Sequence, residues 1–247
     1  MARFEDYADR YTRAALRMEG GILEIRLHDG QGGSLVWGEP AHRELPELFE
    51  RVASDPDVRV VILTGSGDTF CASGDGSGWP SKWTPETFST LFYEGRKLHE
   101  NLLNIEAPVI GAINGPATWH AEIGLLSDIV LAADDVIFQD FPHFPYSPPS
   151  DAVHTVWPAL LGPNRGRYFL LMKEIIAAAE AKQLGLVGEV LPKADLLPRA
   201  WEIARRLAAE NPVVLRYSRM ALTLKLKREI LQDHPYGMAL IGLNMLR

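Results

Sequence analysis

An α/β fold is predicted by two patterns and one absence. Through the first half of the chain, apolar runs of strand character alternate with segments of helical spacing, whereas from Arg165 to Arg247 the sequence is mostly helical. That order fits a strand–helix core with a helical subdomain behind it. No linker-like break in composition divides the two parts, and 247 residues make one large domain, or a domain with a short appendage, at about 150 residues per domain.

The first stretch, Ala2 to Gly20, is polar and is expected to pack loosely. Gly21-Ile-Leu-Glu-Ile-Arg-Leu27 alternates apolar and polar residues, the mark of a half-buried strand, and Gly30, Gly32 and Gly33 end it. Leu45, Leu48, Phe49 and Val52 fall at helical spacing between Pro40 and Ser54, with Pro40 in a first-turn position. Arg59 to Thr64 reads as a buried strand stopped by Gly65-Ser-Gly67, and Phe70 to Trp83 as a long loop without period. Pro85 opens a helix running to Asn104. Pro108 to Ile113 is again a strand, closed by the turn Asn114-Gly-Pro116. Beyond it, Trp119 to Leu126 reads as helix and the segments from Asp128 to Ala132 and Val136 to Phe138 as extended. A loop rich in Pro and aromatic residues spans Asp140 to Ser150. Ser150 is suited to cap a helix starting at Asp151, and a short extended piece covers Val187 to Leu191. The Val60–Gly67 and Val109–Gly115 segments share a strand-into-turn form, so their ends, if adjacent, would build one pocket.

Composition excludes several classes of function. The formal charge of −7 argues against a nucleic-acid surface, which needs concentrated Lys and Arg. A single cysteine, Cys71, excludes a disulfide framework and a multi-thiolate zinc site; without a nearby base it reads as a small buried filler. No run reaches the ~18 apolar residues that would span a bilayer, and Met1 to Arg17 lacks the apolar stretch of a secretory signal. The expectation is a soluble, cytoplasmic protein with a small ligand. Dinucleotide, P-loop and nucleophile-elbow patterns are all missing.

His120 comes directly after the Pro108–Gly115 strand and turn, where open α/β sheets place ligands; alternatively it is a structural imidazole bonded to a backbone carbonyl. His143 lies in Asp140-Phe-Pro-His-Phe-Pro145, whose prolines and aromatics would stiffen and desolvate it, as a neutral general base requires; loop histidines are otherwise surface residues. Asp151 is either the carboxylate that orients such a base or a first-turn acid satisfying a helix dipole. His154 has no ligand spacing around it that supports a metal site. Trp37, Trp79, Trp83 and Trp119 fall in or beside loops and together point to a wide apolar pocket. His28, His42, His99 and His234 have no distinctive context and read as structural or exposed.

The segment Thr64-Gly-Ser-Gly-Asp-Thr-Phe-Cys-Ala-Ser-Gly-Asp75 resembles the crotonase (enoyl-CoA hydratase/isomerase) superfamily pattern. Pro108-Val-Ile-Gly-Ala-Ile-Asn-Gly-Pro-Ala117 resembles its second motif, and Ala181–Val187 and Asn211-Pro-Val resemble later landmarks. The resemblance implies a crotonase-like spiral of strand–strand–helix repeats over 21–190, preceded by an extension over 1–20 and succeeded by a helical trimerisation region over 191–247. It also implies a homotrimer or a dimer of trimers. In that superfamily the second motif runs on into consecutive glycines, one donating an oxyanion-hole N–H to a CoA thioester. Trp119 and His120 stand there instead, and the positions of the two catalytic glutamates carry Ile123 and His143. With Asp151, these departures resemble the 6-oxocamphor hydrolase type of crotonase, whose members cleave β-diketones with water. That closer resemblance implies a cofactor-free, metal-free hydrolase with His143 as base, Asp151 as its orienter and His120 as oxyanion partner. Trp37, Ala72, Trp79, Trp119, Phe141 and Ile241 would contact substrate, Ile241 standing where that type carries a C-terminal Glu. A CoA-dependent hydratase or isomerase and a non-catalytic scaffold are the competing readings.

Overall fold

The computed structural model describes residues 1–76, 78–143 and 147–246. The chain opens with α1 (Phe4–Tyr7) and the hairpin β1 (Ala14–Glu19) and β2 (Ile22–Leu27), then β3 (Leu35–Trp37) and α2 (Glu39–Ala53). Next come β4 (Val60–Gly65), β5 (Cys71–Gly74), α3 (Pro85–Asn104), β6 (Val109–Ile113) and α4 (Ala121–Leu125). After them stand β7 (Ile129–Ala133), β8 (Ile137–Phe138), α5 (Val153–Leu161), α6 (Pro163–Met172) and β9 (Ile176–Ala177). The chain closes with α7 (Ala178–Gln183), β10 (Glu189–Leu191), α8 (Lys193–Ala208) and α9 (Pro212–Met245).

The main sheet has the order β1-β2-β4-β6-β7-β10. Only β1 and β2 run antiparallel, joined through the Gly20-Gly21 turn; every other pairing is parallel. β4 and β6 are buried along their whole length, as continuous apolar runs in a parallel sheet covered on both faces should be. α8 packs across β2, β4, β6 and β7, while α2 and α3 pack on one another. The apolar spacing of α2 does what it predicts: Leu45, Leu48, Phe49 and Val52 are all in the core. α3 begins where Pro85 sets its first turn and the Thr84 hydroxyl accepts from the Thr87 amide, a side-chain cap for an otherwise orphaned N–H.

A second layer of strands positions the site. β3 pairs in parallel with β5, single bridges link Cys71 to Ala117 and Ala117 to Phe138, and β8 pairs with β9. This layer delivers the residues after β5 and those after Ala117 to one place. The ends of β4 and β6 are adjacent, as their shared form anticipates, but Asn114 ties them together instead of leaving a pocket. Its amide oxygen accepts from the Gly65 N–H and its Nδ2 donates to the Gly67 carbonyl, both at 3.1 Å.

Three expectations need correction. The stretch before Gly21 does not pack loosely: β1 extends the sheet, and fully buried Tyr7 donates to Asp55 at 2.9 Å. The Phe70–Trp83 stretch is not all loop, because it contains β5. The helix after Ser150 starts at Val153, not Asp151. Asp151 and Ala152 take left-handed φ values of 56° and 68°, and Ser150 Oγ donates to the Pro148 carbonyl instead of capping. Asp151 is therefore no first-turn acid; the backbone turns it inward.

Candidate active site

A cavity of about 430 Å³ is lined by Trp37, His42, Gly74, Asp75, Gly76, Trp79, Trp83, Leu91, Trp119, His120, Pro142, Asp151 and Met245. The walls come from the ends of β3 and β5, the first turns of α2, the middle of α3, the segment entering α4 and the end of α9. Trp79 lies 5.8 Å from Trp83 between ring centroids, and Trp37 lies against His120 at 3.9 Å. A Cβ on Gly74 would stand 2.4 Å from the Trp119 ring, so only glycine at the end of β5 lets that indole lie on the wall.

His120 sits at φ 52°, immediately before α4. A non-glycine residue in the left-handed region costs about 1–3 kcal/mol and marks a constrained site. The resemblance places His120 on a glycine position, and the backbone here keeps a conformation that glycine adopts freely. Its Nδ1 is 2.6 Å from Glu122 Oε1. Burial alone would raise the Glu122 carboxyl, but the charge of His120 and hydrogen bonds from His120 and His99 hold it down at about 2. An ionised carboxylate only accepts, so His120 Nδ1 carries its proton toward Glu122, leaving Nε2 for the cavity.

His143 is buried with its Nδ1 2.7 Å from Asp140 Oδ1. Here the structure corrects the expected pairing: Asp140, three residues upstream, orients the ring, and not Asp151. Burial favours the neutral imidazole, but the Asp140 charge and hydrogen bond, with the more distant charge of Asp151, raise its pKa above the ordinary histidine value. Pro142, its neighbour, lines the cavity; His143 is not itself on the wall. Phe144 and Pro145, expected to flank it, lie outside the described residues.

Asp151 is buried, lines the cavity, and accepts at 2.9 Å from Nε2 of His234 on α9. Burial opposes its ionisation, yet His234, then the charges of His99 and His120, keep its carboxyl well below the usual range. His42, read from sequence as structural or exposed, is a wall residue. Its Nδ1 is 2.8 Å from Glu94 on α3, and its buried Nε2 has no hydrogen-bond partner among the described residues. Gly95 makes room for this grouping, since a Cβ there would meet Asp151 Oδ1 at 3.1 Å and His42 Nε2 at 3.6 Å.

Trp37, Trp79 and Trp119 line the cavity as expected from their positions, and Trp83 joins them. Ala72, Phe141 and Ile241 do not. Ala72 is half-buried in β5 with its carbonyl accepting from the Thr118 hydroxyl; Phe141 is 45% exposed and rests on Trp119. Ile241 packs with Phe88 and Met238 in a separate apolar cluster, leaving Met245, one turn on, to reach the wall. His154 contacts the Asp233 carbonyl through Nε2. His99, Asp151 and His234 bring ligand-capable atoms within 4.8 Å of one another. Asp140 and Glu122 lie three and two residues from the histidines they hold, so sequence proximity could have flagged them. Nothing in the sequence marks His42, His99 or His234.

The arrangement supplies ring nitrogens fixed by carboxylates around an aromatic cavity, suited to moving protons and steadying negative charge on a compact carbonyl compound. Among solved structures, the chain is similar to a β-diketone hydrolase from the cyanobacterium Anabaena sp. PCC 7120 bound to (S)-3-oxocyclohexyl acetic acid. It is 45% identical, with a TM-score of 0.95, over 98% of this chain and 97% of that one. An enoyl-CoA hydratase/isomerase from Mycobacterium paratuberculosis shares the fold at 24% identity and a TM-score of 0.84, over 97% of this chain and 96% of that one. By sequence, the chain is 28% identical over 210 residues to carnitinyl-CoA dehydratase of Escherichia coli (strain K12), covering 81% of this chain and 76% of that protein. The pattern of the enoyl-CoA hydratase/isomerase family matches residues 17–235, and the chain therefore belongs to that family, on the branch close to β-diketone hydrolases.

Proposed function

We propose that this protein cleaves a β-diketone hydrolytically to a keto acid, a retro-Claisen reaction. The observation that carries the reading is His120: a carboxylate-anchored imidazole beside an aromatic cavity, on a position where thioester relatives keep a glycine. Similarity to the Anabaena β-diketone hydrolase supports it, and the ligand named for that protein carries the ketone and carboxylic acid that such a cleavage would produce.

His143, next to the wall residue Pro142 and with Nδ1–H donated to Asp140, is the proposed base, its other nitrogen taking a proton from a water admitted behind that wall. The resulting hydroxide adds to one carbonyl carbon, and the oxyanion that forms is met by the His120 ring on its cavity-facing Nε2 side. Collapse restores the carbonyl as a carboxylic acid and breaks the bond to the central carbon, whose electrons pass into the second carbonyl as an enolate. A proton returned to that carbon completes the ketone. Asp151, ionised and near His143 in charge if not in contact, favours the imidazolium that forms there. The tryptophan walls exclude bulk water and so strengthen these hydrogen bonds. We also propose that the chain assembles as a homotrimer or a dimer of trimers.

The test offers purified protein a panel of cyclic and linear β-diketones beside crotonyl-CoA, monitoring loss of enol and of thioester absorbance. Diketone loss that falls about 10²–10⁴-fold in His143→Ala, the usual span for a general base, supports the proposal. Thioester turnover without diketone loss would replace it with a CoA hydratase reading.

A further inference from the structure

Glu122, His99 and His234 are at most 1% exposed and lie outside the cavity wall, and the proposed chemistry leaves His99 unused. We propose that His99 is a permanent imidazolium that ties the His120–Glu122 pair to the Asp151–His234 pair, a positioning residue on which both wall groups depend. The proposal rests on the reading of the site as a β-diketone hydrolase.

His99 belongs to α3. Its Nδ1 lies 3.0 Å from the Gly95 carbonyl one turn back in the same helix; a carbonyl only accepts, so Nδ1 carries hydrogen. Its Nε2 lies 3.4 Å from Glu122 Oε1 in α4, the oxygen that also takes the proton of His120 Nδ1. Ionised Glu122 again only accepts, so Nε2 carries hydrogen too. A ring that donates from both nitrogens is a cation. A second carboxylate faces it from the segment before α5: the ligand-capable atoms of His99, Asp151 and His234 all lie within 4.8 Å of one another. The His234 ring, from α9, stands 5.3 Å away between centroids. Burial pushes the His99 pKa down, but the Glu122 hydrogen bond and the charges of Asp151 and Glu122 outweigh it and raise it.

The cluster therefore balances. Glu122 is held ionised chiefly by His120 and Asp151 chiefly by His234, and a cation facing both carboxylates lowers the remaining cost of burying two negative charges together. Were Glu122 protonated, His120 would lose its anionic partner and the anchor that turns Nε2 to the cavity. Were Asp151 protonated, His143 would lose the charge that favours its imidazolium. His99, remote from substrate, holds both conditions at once. The same three residues could be read as a cation site, in which a metal would have to displace the ring proton of His99; the zinc arm of the test decides between the two.

The test is a nitrogen NMR titration of the wild-type full-length chain labelled at its histidines, with Zn²⁺ then added to the same sample. Two protonated ring nitrogens on His99 at a pH above the ordinary histidine range, and no response to zinc, are expected. A non-protonated His99 nitrogen near neutral pH, or His99 and His234 signals that move together with one equivalent of zinc, would overturn the proposal. H99Q retains an N–H for Glu122 without the charge. It should lower kcat for diketone about 10- to 100-fold, the usual loss on removing an outer partner of a site group, with KM near wild type and the acid limb of the pH profile moved down. Unchanged kcat and an unchanged limb would also overturn it. If no diketone is cleaved by wild type, the functional reading fails while the NMR result still decides the state of His99.

Discussion

The carboxylate beside His143 sets the pH at which a base is available. A general base must be neutral, and Asp140 raises the pKa of the ring against the opposing effect of burial. Activity should therefore rise as pH climbs through a value above the ordinary histidine range. Asp140→Asn removes the charge while keeping an amide oxygen that can accept from Nδ1, so the acid limb should move to lower pH while kcat falls about 10²–10⁴-fold. Asp151→Asn acts on His143 through charge alone and should move the limb less. A kcat/KM profile of the two variants checks this, and an equal or larger shift for Asp151→Asn would reverse the pairing. His120 gives a second residue-scale prediction. At φ 52° glycine fits better than alanine, so His120→Gly should be more stable than His120→Ala by about 1 kcal/mol in thermal unfolding, with diketone turnover lost in both.

At the scale of elements, the N-terminal segment is where the reading from sequence departs furthest from the fold. β1 is an edge strand in which only Ala14 is fully buried, so its alternation carries little hydrophobic contrast. α1 is a single turn, anchored chiefly by the buried Tyr7–Asp55 hydrogen bond. Tyr7→Phe leaves Asp55 without that donor and should cost about 1–3 kcal/mol in urea unfolding; an unchanged midpoint would mean that the segment docks independently of this bond. β5 was illegible for a different reason. Cys71-Ala-Ser-Gly74 has little strand propensity, and pairing with β3 makes it a strand. The apolar runs of β4 and β6 and the periodic faces of α2 and α3 were legible because burial is written into their spacing, whereas β2, whose alternation reads as half-buried, is buried on both faces with Glu24 taken inside. The site divides along the same line. Carboxylates two or three residues from their histidines were within reach of sequence reasoning. Asp151–His234, brought together by the return of α9 across α3 and α5, was not.

At the scale of the molecule, folding leaves large apolar side chains in water. Leu171 and Met172 on α6, Ile175 after it, and Leu222 and Leu243 on α9 are each more than half exposed. Faces of this kind mark contact surfaces, and the proposed trimer would cover part of them. Light scattering should give three or six times the 27.5 kDa chain mass; a monomer at working concentration would contradict it. Stability should also carry the imprint of the buried cluster. Glu122 is held at about 2, below its unfolded value of about 4.3. Its contribution is therefore in place above that unfolded value and is lost as pH falls toward 2. The central claim is that water, activated by an imidazole, breaks a carbon–carbon bond between two carbonyls. Cleavage of an accepted β-diketone in ¹⁸O-labelled water, read by mass spectrometry, tests it most directly. One label should enter the carboxylate of the keto acid, at a rate that collapses in His143→Ala. A carboxylate without label, or a diketone that persists while crotonyl-CoA is consumed, would contradict it.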